Sequence, residues 1–138
     1  MAAKALGAHS SILDIRYGRF QEKSLRCRRC SASWPTYEEK ESDVALAVSV
    51  VGDGLNRLFG TALIVSADSD MVPAIRELRA SRPEARVVGA LPPNRNSSDL
   101  RRHCDASFQI GAAKIRQAQL PETVMDGPHA ITRPAYWK

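Results

Sequence analysis

Apolar residues come in short blocks along this chain, and the spacing within each block changes from one to the next. Residues 2–8 look like the end of a helix. Ile12-Leu13-Asp14-Ile15-Arg16-Tyr17 alternates, with Leu13, Ile15 and Tyr17 on one side, and predicts a strand. Residues 21–40 are polar, basic and cysteine-bearing, and read as an excursion from the main fold. Ser42 is a candidate N-cap for a helix whose apolar positions are Val44, Ala47, Val48, Val51, Leu55 and Leu58. Gly52 and Gly54 weaken that helix by about 1 kcal/mol each relative to alanine. The continuous run Thr61-Ala62-Leu63-Ile64-Val65-Ser66 predicts a strand buried on both faces, as in parallel sheets.

Beyond it, Val72, Ile75 and Leu78 predict a helix over 72–80. A second buried strand is expected at 86–91, stopped by Pro92-Pro93. Ser97 or Ser98 would cap a short helix running to Cys104. Ser107 to Ile110 reads as a last strand, 112–119 as a helix or turn, and 121–138 as an irregular tail. Alternating strand and helix call for a mainly parallel α/β sheet with right-handed crossovers.

A chain of 138 residues is long enough for one domain with a core of its own. No run of about 18 apolar residues exists, so no membrane span is expected, and residues 1–9 do not read as a signal peptide. Three cysteines argue against a disulfide framework and fit a reducing cytoplasm. The net charge of +5 is concentrated near the start: residues 1–37 hold seven Lys and Arg against two Asp and Glu. Arginine outnumbers lysine, and its fork-shaped guanidinium matches two phosphate oxygens. This suits a nucleic-acid partner, and a solvated basic face is the plainer alternative.

The candidate chemistry is acidic. Asp68 and Asp70 lie just beyond the end of the strand at 61–66, on the edge where open α/β sheets bind ligands. Nearby carboxylates repel unless a proton or cation lies between them, and hard oxygen ligands favour Mg²⁺ or Mn²⁺. Alternatively, Asp68 or Asp70 caps the next helix. Asp43 opens the helix of residues 44–58, and Asp99 and Asp105 flank the short helix that ends at Cys104. Asp53 fits a solvent-facing helix position.

Three segments carry a more specific signal. Glu38 to Ala47 resembles the pattern E-K-x-S/T-D-V-x-L/I-A. Thr61 to Pro73 resembles T-A-L/I-L/I-V-S-A/G-D-S-D-L/F/M-x-P. Ser97 to Asp105 resembles S-x-x-L-R-x-x-x-D. In order and spacing the three are similar to the NYN domain family, over roughly residues 10–116. The resemblance implies a PIN-like three-layer α/β/α sandwich, an acidic metal site loaded with Mg²⁺ or Mn²⁺, and cleavage of RNA. It maps Asp43, Asp68 and Asp70 to the acidic site, with Asp105 near it, and places Ser66, Ser97, Ser98 and Arg101 where phosphate contacts are expected. The family opens with a strand ending in V-D-G-x-N that supplies a principal metal ligand, and this chain has no match to it. The expectation is a partial domain over residues 1–120 lacking its N-terminal strand, as a truncated product or a degenerate copy. Ala45 stands where the family commonly has Asn, and Gly60 where it has Asp.

Cys27-Arg28-Arg29-Cys30 supplies two of the four ligands that a structural zinc site needs. Two free thiols in a loop are the simpler reading. The neighbouring Arg26, Arg28 and Arg29, with Trp34, suit RNA phosphates and bases. The leading expectation is a metal-dependent ribonuclease, impaired by loss of the opening aspartate. A non-catalytic RNA- or protein-binding remnant is the alternative, and a haloacid-dehalogenase-like phosphatase a third. An unpaired sheet edge leads us to expect poor folding alone, or completion of the sheet by a second copy or a partner chain.

Overall fold

A computed structural model describes residues 6–7 and 13–137, and its described part divides into two compact units. The larger, Tyr17–Ile110, begins with the antiparallel hairpin β1 (Arg19–Arg26) and β2 (Ser33–Lys40). Helix α1 (Ser42–Leu55) follows, then strand β3 (Thr61–Val65), a 3₁₀ turn (Ser69–Met71), helix α2 (Val72–Ser81) and strand β4 (Arg86–Leu91). Helix α3 (Ser98–His103) and strand β5 (Ala106–Gln109) complete the unit. The order β3-β4-β5 is parallel throughout, so the expected mixed α/β fold with a parallel sheet is present.

Several local expectations are corrected. Leu13 to Gly18 form no strand, and the first strand begins at Arg19. Of the helix expected at 2–8, Leu6 and Gly7 are helical and the rest lies outside the described residues, as does Ile12. The polar excursion is a regular hairpin whose strands are exposed along nearly their whole length. Ser42 does not cap α1. Its backbone N–H and hydroxyl donate to the Glu39 carboxylate at 3.2 and 2.7 Å, and Glu41 turns the chain at φ 83°. Gly18 lies under this junction, where an added Cβ would stand 2.7 Å from the Lys40 carbonyl oxygen.

The core lies on one face of the sheet, where Ile64 and Val87 meet Met71, Ala74, Ile75 and Leu78 of the turn and α2, and Leu100 of α3. Helix α1 adds Ala47, Val50 and Val51. The buried Gly54 lets α1 close on α2: a Cβ there would come within 2.3 Å of Leu78 Cδ1. Helix α1 therefore packs through the stripe 47-50-51-54, and the expected positions Val44, Val48, Leu55 and Leu58 are exposed. Strand β3 is likewise buried on one face alone. Ile64 is 3% exposed, whereas Leu63 and Val65 are 57% and 58% exposed. Among the described residues β3 is an outer strand of this sheet.

Arg82, directly after α2, is the buried charged residue of the unit. Its Nη1 donates to the carbonyls of Gly54 and Phe59 at 2.9 and 3.2 Å, and its Nε donates to Glu84 at 2.9 Å. One guanidinium thus ties the end of α1 to the loop that enters β3.

The smaller unit comprises the described residues up to Arg16 together with those from Gly111. It holds helix α4 (Ala112–Gln117) and the antiparallel hairpin β6 (Thr123–Asp126) and β7 (His129–Thr132). The expected irregular tail therefore contains paired strands. They are joined through Gly127 at φ 57°, a positive value that glycine adopts without strain. No described helix is long and apolar enough to cross a membrane.

Candidate functional site

At the C-terminal edge of the parallel sheet an open cleft of about 520 Å³ is lined by Asp43, Val65, Ser66, Ala67, Asp68, Ser69, Pro92 and Arg95. Three elements deliver these residues. Asp43 sits in the first turn of α1, where a negative charge is also favoured by the helix dipole. The chain leaving β3 brings Ser66 and Asp68. The Asp68 N–H donates to Ser66 Oγ at 3.0 Å, and Asp68 Oδ1 accepts from the Asp70 N–H at 2.9 Å. Asp68 is thus the cap of the 3₁₀ turn, as the plainer sequence reading allowed, and it keeps a second carboxylate oxygen for a ligand.

The third element is the turn after β4. Pro92-Pro93 stops the strand, Asn94 takes φ 58°, and the Arg95 N–H returns to the Pro92 carbonyl at 3.2 Å. This swings Arg95 to the cleft, where its guanidinium has no hydrogen-bond or ion-pair partner among the described residues. Sequence reasoning missed Arg95. The signal was available, because it is the first cation beyond the end of the strand that neighbours β3, on the ligand-binding edge.

The other candidates fall elsewhere. Asp70 is exposed in the adjoining 3₁₀ turn and does not line the cleft. Asp105 is placed at the opposite edge, which corrects its expected position near the acidic site. It immediately precedes β5, and in a parallel sheet that is the edge where strands begin. There its carboxylate accepts from the Val87 N–H at 2.7 Å and pairs with Arg79. The Val87 N–H, reinforced by Arg79, holds the Asp105 carboxyl below its ordinary value. Ser97 caps α3, accepting from the Leu100 N–H at 3.3 Å, and Ser98 is an exposed helix residue. Arg101 is engaged by Asn96 at 2.9 Å and Ser107 at 3.3 Å. Ser97, Ser98 and Arg101 line no part of the cleft. Arg26, Arg28 and Arg29 cluster at the hairpin tip, one strand length of roughly 25 Å from the start of α1.

Cys27 and Cys30 share that tip as free thiols, and Cys104 is free beside the core. Among the described residues no three His, Cys, Asp or Glu side chains stand together closely enough to hold a metal ion. The cleft's own donors are two carboxylates and two serine hydroxyls.

Comparison with known proteins gives one relative and one family. Over 116 residues the chain is 31% identical to the protein named 6-hydroxy-3-succinoylpyridine 3-monooxygenase HspA of Pseudomonas putida (strain DSM 28022 / S16). That alignment covers 80% of this chain and 36% of the relative, so the chain spans about a third of that protein's length. No solved structure matches. The model of the NYN domain matches residues 3–111, which include α1 with Asp43 and the turn after β3 with Asp68, and the chain belongs to the NYN domain family.

Proposed function

We propose that the cleft is a nuclease-type centre for hydrolysis of RNA phosphodiester bonds, in keeping with the nuclease-like character of the family. The observation that carries this reading is the meeting of Asp43, Asp68, Ser66 and Arg95 in one open cleft at the ligand-binding edge. Asp43 and Asp68 would hold a Mg²⁺ or Mn²⁺ ion, with Asp70 close enough in sequence to join if the turn tightens. That ion, when bound, supplies Lewis-acid polarisation of a phosphate oxygen. Arg95 binds the non-bridging oxygens and opposes the charge that grows on them. Ser66 Oγ already accepts from Asp68, so its own proton is available to a phosphate oxygen. Hydrolysis adds water across a P–O bond and leaves one phosphate and one hydroxyl end. Free thiols throughout the described chain suit a reducing cytoplasm.

The exposed Leu63 and Val65 and the outer stripe of α1 support the finer fold reading. In it, a further strand and layer, from elsewhere in the protein or from a partner, complete a three-layer sandwich and bring a further acidic ligand. Without such a strand the cleft is expected to cleave weakly, and the exposed apolar positions are expected to favour association in solution.

The test uses labelled single-stranded RNA with Mn²⁺, and Asp43→Asn and Asp68→Asn variants. Slow cleavage that both variants abolish supports the reading. RNA held without cleavage, at unchanged affinity in the variants, favours a non-catalytic RNA-binding role. The likeness to the Pseudomonas protein favours a second reading, in which Arg95 pairs with the carboxylate of a small aromatic acid. Saturable binding of 6-hydroxy-3-succinoylpyridine that is lost in Arg95→Ala, with no effect of RNA, would establish it instead.

A further inference from the structure

The tip of the β1–β2 hairpin is built like half of a metal site. The last strand pair is Arg26 with Ser33, and the Cys27 N–H donates to the Ala32 carbonyl at 2.8 Å. Inside that loop the Ser31 N–H returns to the Cys27 carbonyl at 3.0 Å, with Ser31 at φ 59°. This tight turn places Cys27 and Cys30 on one small loop. A redox C-x-x-C, by contrast, opens a helix, and none begins here.

Two sulfurs do not close a tetrahedral site. Cys104 is committed to the core, where its sulfur lies 3.2 Å from the position of a Cβ on Gly89. No third His, Cys, Asp or Glu joins the pair among the described residues. The remaining two donors therefore come from outside this part of the chain. A second copy supplies an identical pair, and a two-fold axis through the ion places four sulfurs around it. Charge is compatible with the same occupant. Four thiolates around one divalent cation leave a net of about −2. Arg26, Arg28 and Arg29 stand exposed at each tip, without ion-pair partners among the described residues; the six of a pair more than neutralise it and leave an excess positive charge that salt screens.

We propose that Cys27 and Cys30 bind Zn²⁺ together with the same pair of a second copy, so that the ion joins two hairpins tip to tip. This site shares no residue with the acidic cleft, and its test does not rest on the function proposed there. The test uses the full chain, reduced, stripped of metal by a chelator, and titrated with Zn²⁺ or with Co²⁺ as a spectroscopic stand-in. The expected result is one ion per two chains, the thiolate charge-transfer and tetrahedral absorption of bound Co²⁺, and a doubling of mass by sedimentation that a chelator reverses. Cys27→Ser and Cys30→Ser should each abolish ion binding and metal-driven dimerisation with an unchanged far-ultraviolet circular dichroism spectrum, and Cys104→Ser should alter neither. One ion per chain on a monomer would overturn the shared site. So would a metal-dependent dimer that persists in either tip variant, or reduced protein that shows no thiolate absorption with Co²⁺.

Discussion

Replacing Arg82 with methionine should cost this fold more stability than its position just after a helix suggests. Methionine keeps an unbranched apolar stem in a site that is 8% exposed, and removes every donor of the guanidinium. Gly54 keeps one partner, the Arg57 N–H at 2.9 Å, whereas the part-buried Phe59 carbonyl loses the donor that reaches it. Hydrogen bonds from a charged group to a carbonyl contribute about 1.5–3 kcal/mol each. The Glu84 partner is more than half exposed, so solvent screens that pair and it adds little. The expected loss is about 3 kcal/mol, a fall in midpoint on the order of 10 °C for a chain of this size. Arg82→Lys should lie between, because one ammonium lacks the planar fork that serves two carbonyls and a carboxylate together. Urea titration followed by circular dichroism measures both. A methionine variant within about 0.5 kcal/mol of the parent, well inside the spread of ordinary surface substitutions, would refute the reasoning.

Three further outcomes follow from the geometry. Asp105 has a depressed pKa in the fold, so its contribution is present above its unfolded value of 3.8 and is lost as pH falls through the folded one. Asp105→Asn should therefore flatten the acid limb of stability below about pH 5, and parallel limbs in urea titrations of the two proteins would contradict this. Burial pushes the Cys104 thiol up, so in metal-free protein at mildly alkaline pH a disulfide reagent should titrate Cys27 and Cys30 quickly and Cys104 only on unfolding. Equal rates for all three thiols would show that the core does not shield it. Arg95→Ala should weaken single-stranded RNA binding and reduce the slope of log affinity against log salt by about 0.7, and an unchanged slope would exclude a phosphate contact.

The elements around the parallel sheet were legible because their signals are local. Val72, Ile75 and Leu78 recur at helical spacing, and Ser97 lies three residues before the N–H it accepts from. The hairpin was not legible, because alternation marks a strand only when one face is buried, and neither face of Arg19–Arg26 is. Its strands are linked by diagonal pairs such as Lys23 with Glu38 at 3.2 Å, which no single strand displays. In α1 two apolar stripes coexist, and periodicity alone cannot say which one the Gly54 contact will bury. For the site, Asp43 and Asp68 were expected on one edge, and both line the cleft there. Asp105 was misplaced because a motif fixes separation along the chain, and the return from α3 into β5 brings the residue before the strand to the far edge.

The single-residue junction at Glu41 makes the hairpin a lever. Lys40 ends β2 and Ser42 begins α1, so the arm pivots on one backbone position held at φ 83°. Two braces stiffen that fulcrum, the Arg19–Glu41 ion pair and the Glu39 carboxylate on Ser42. The arm is eight residues, about 26 Å, and Asp43 lies about 5 Å beyond the pivot. A sideways displacement of about 5 Å at the tip would then reach Asp43 geared down to about 1 Å, a misplacement large enough to change a catalytic rate roughly 10²-fold. Whatever grips the cysteine- and arginine-bearing tip therefore has a mechanical purchase on the carboxylate at the cleft, through the one residue that separates strand from helix.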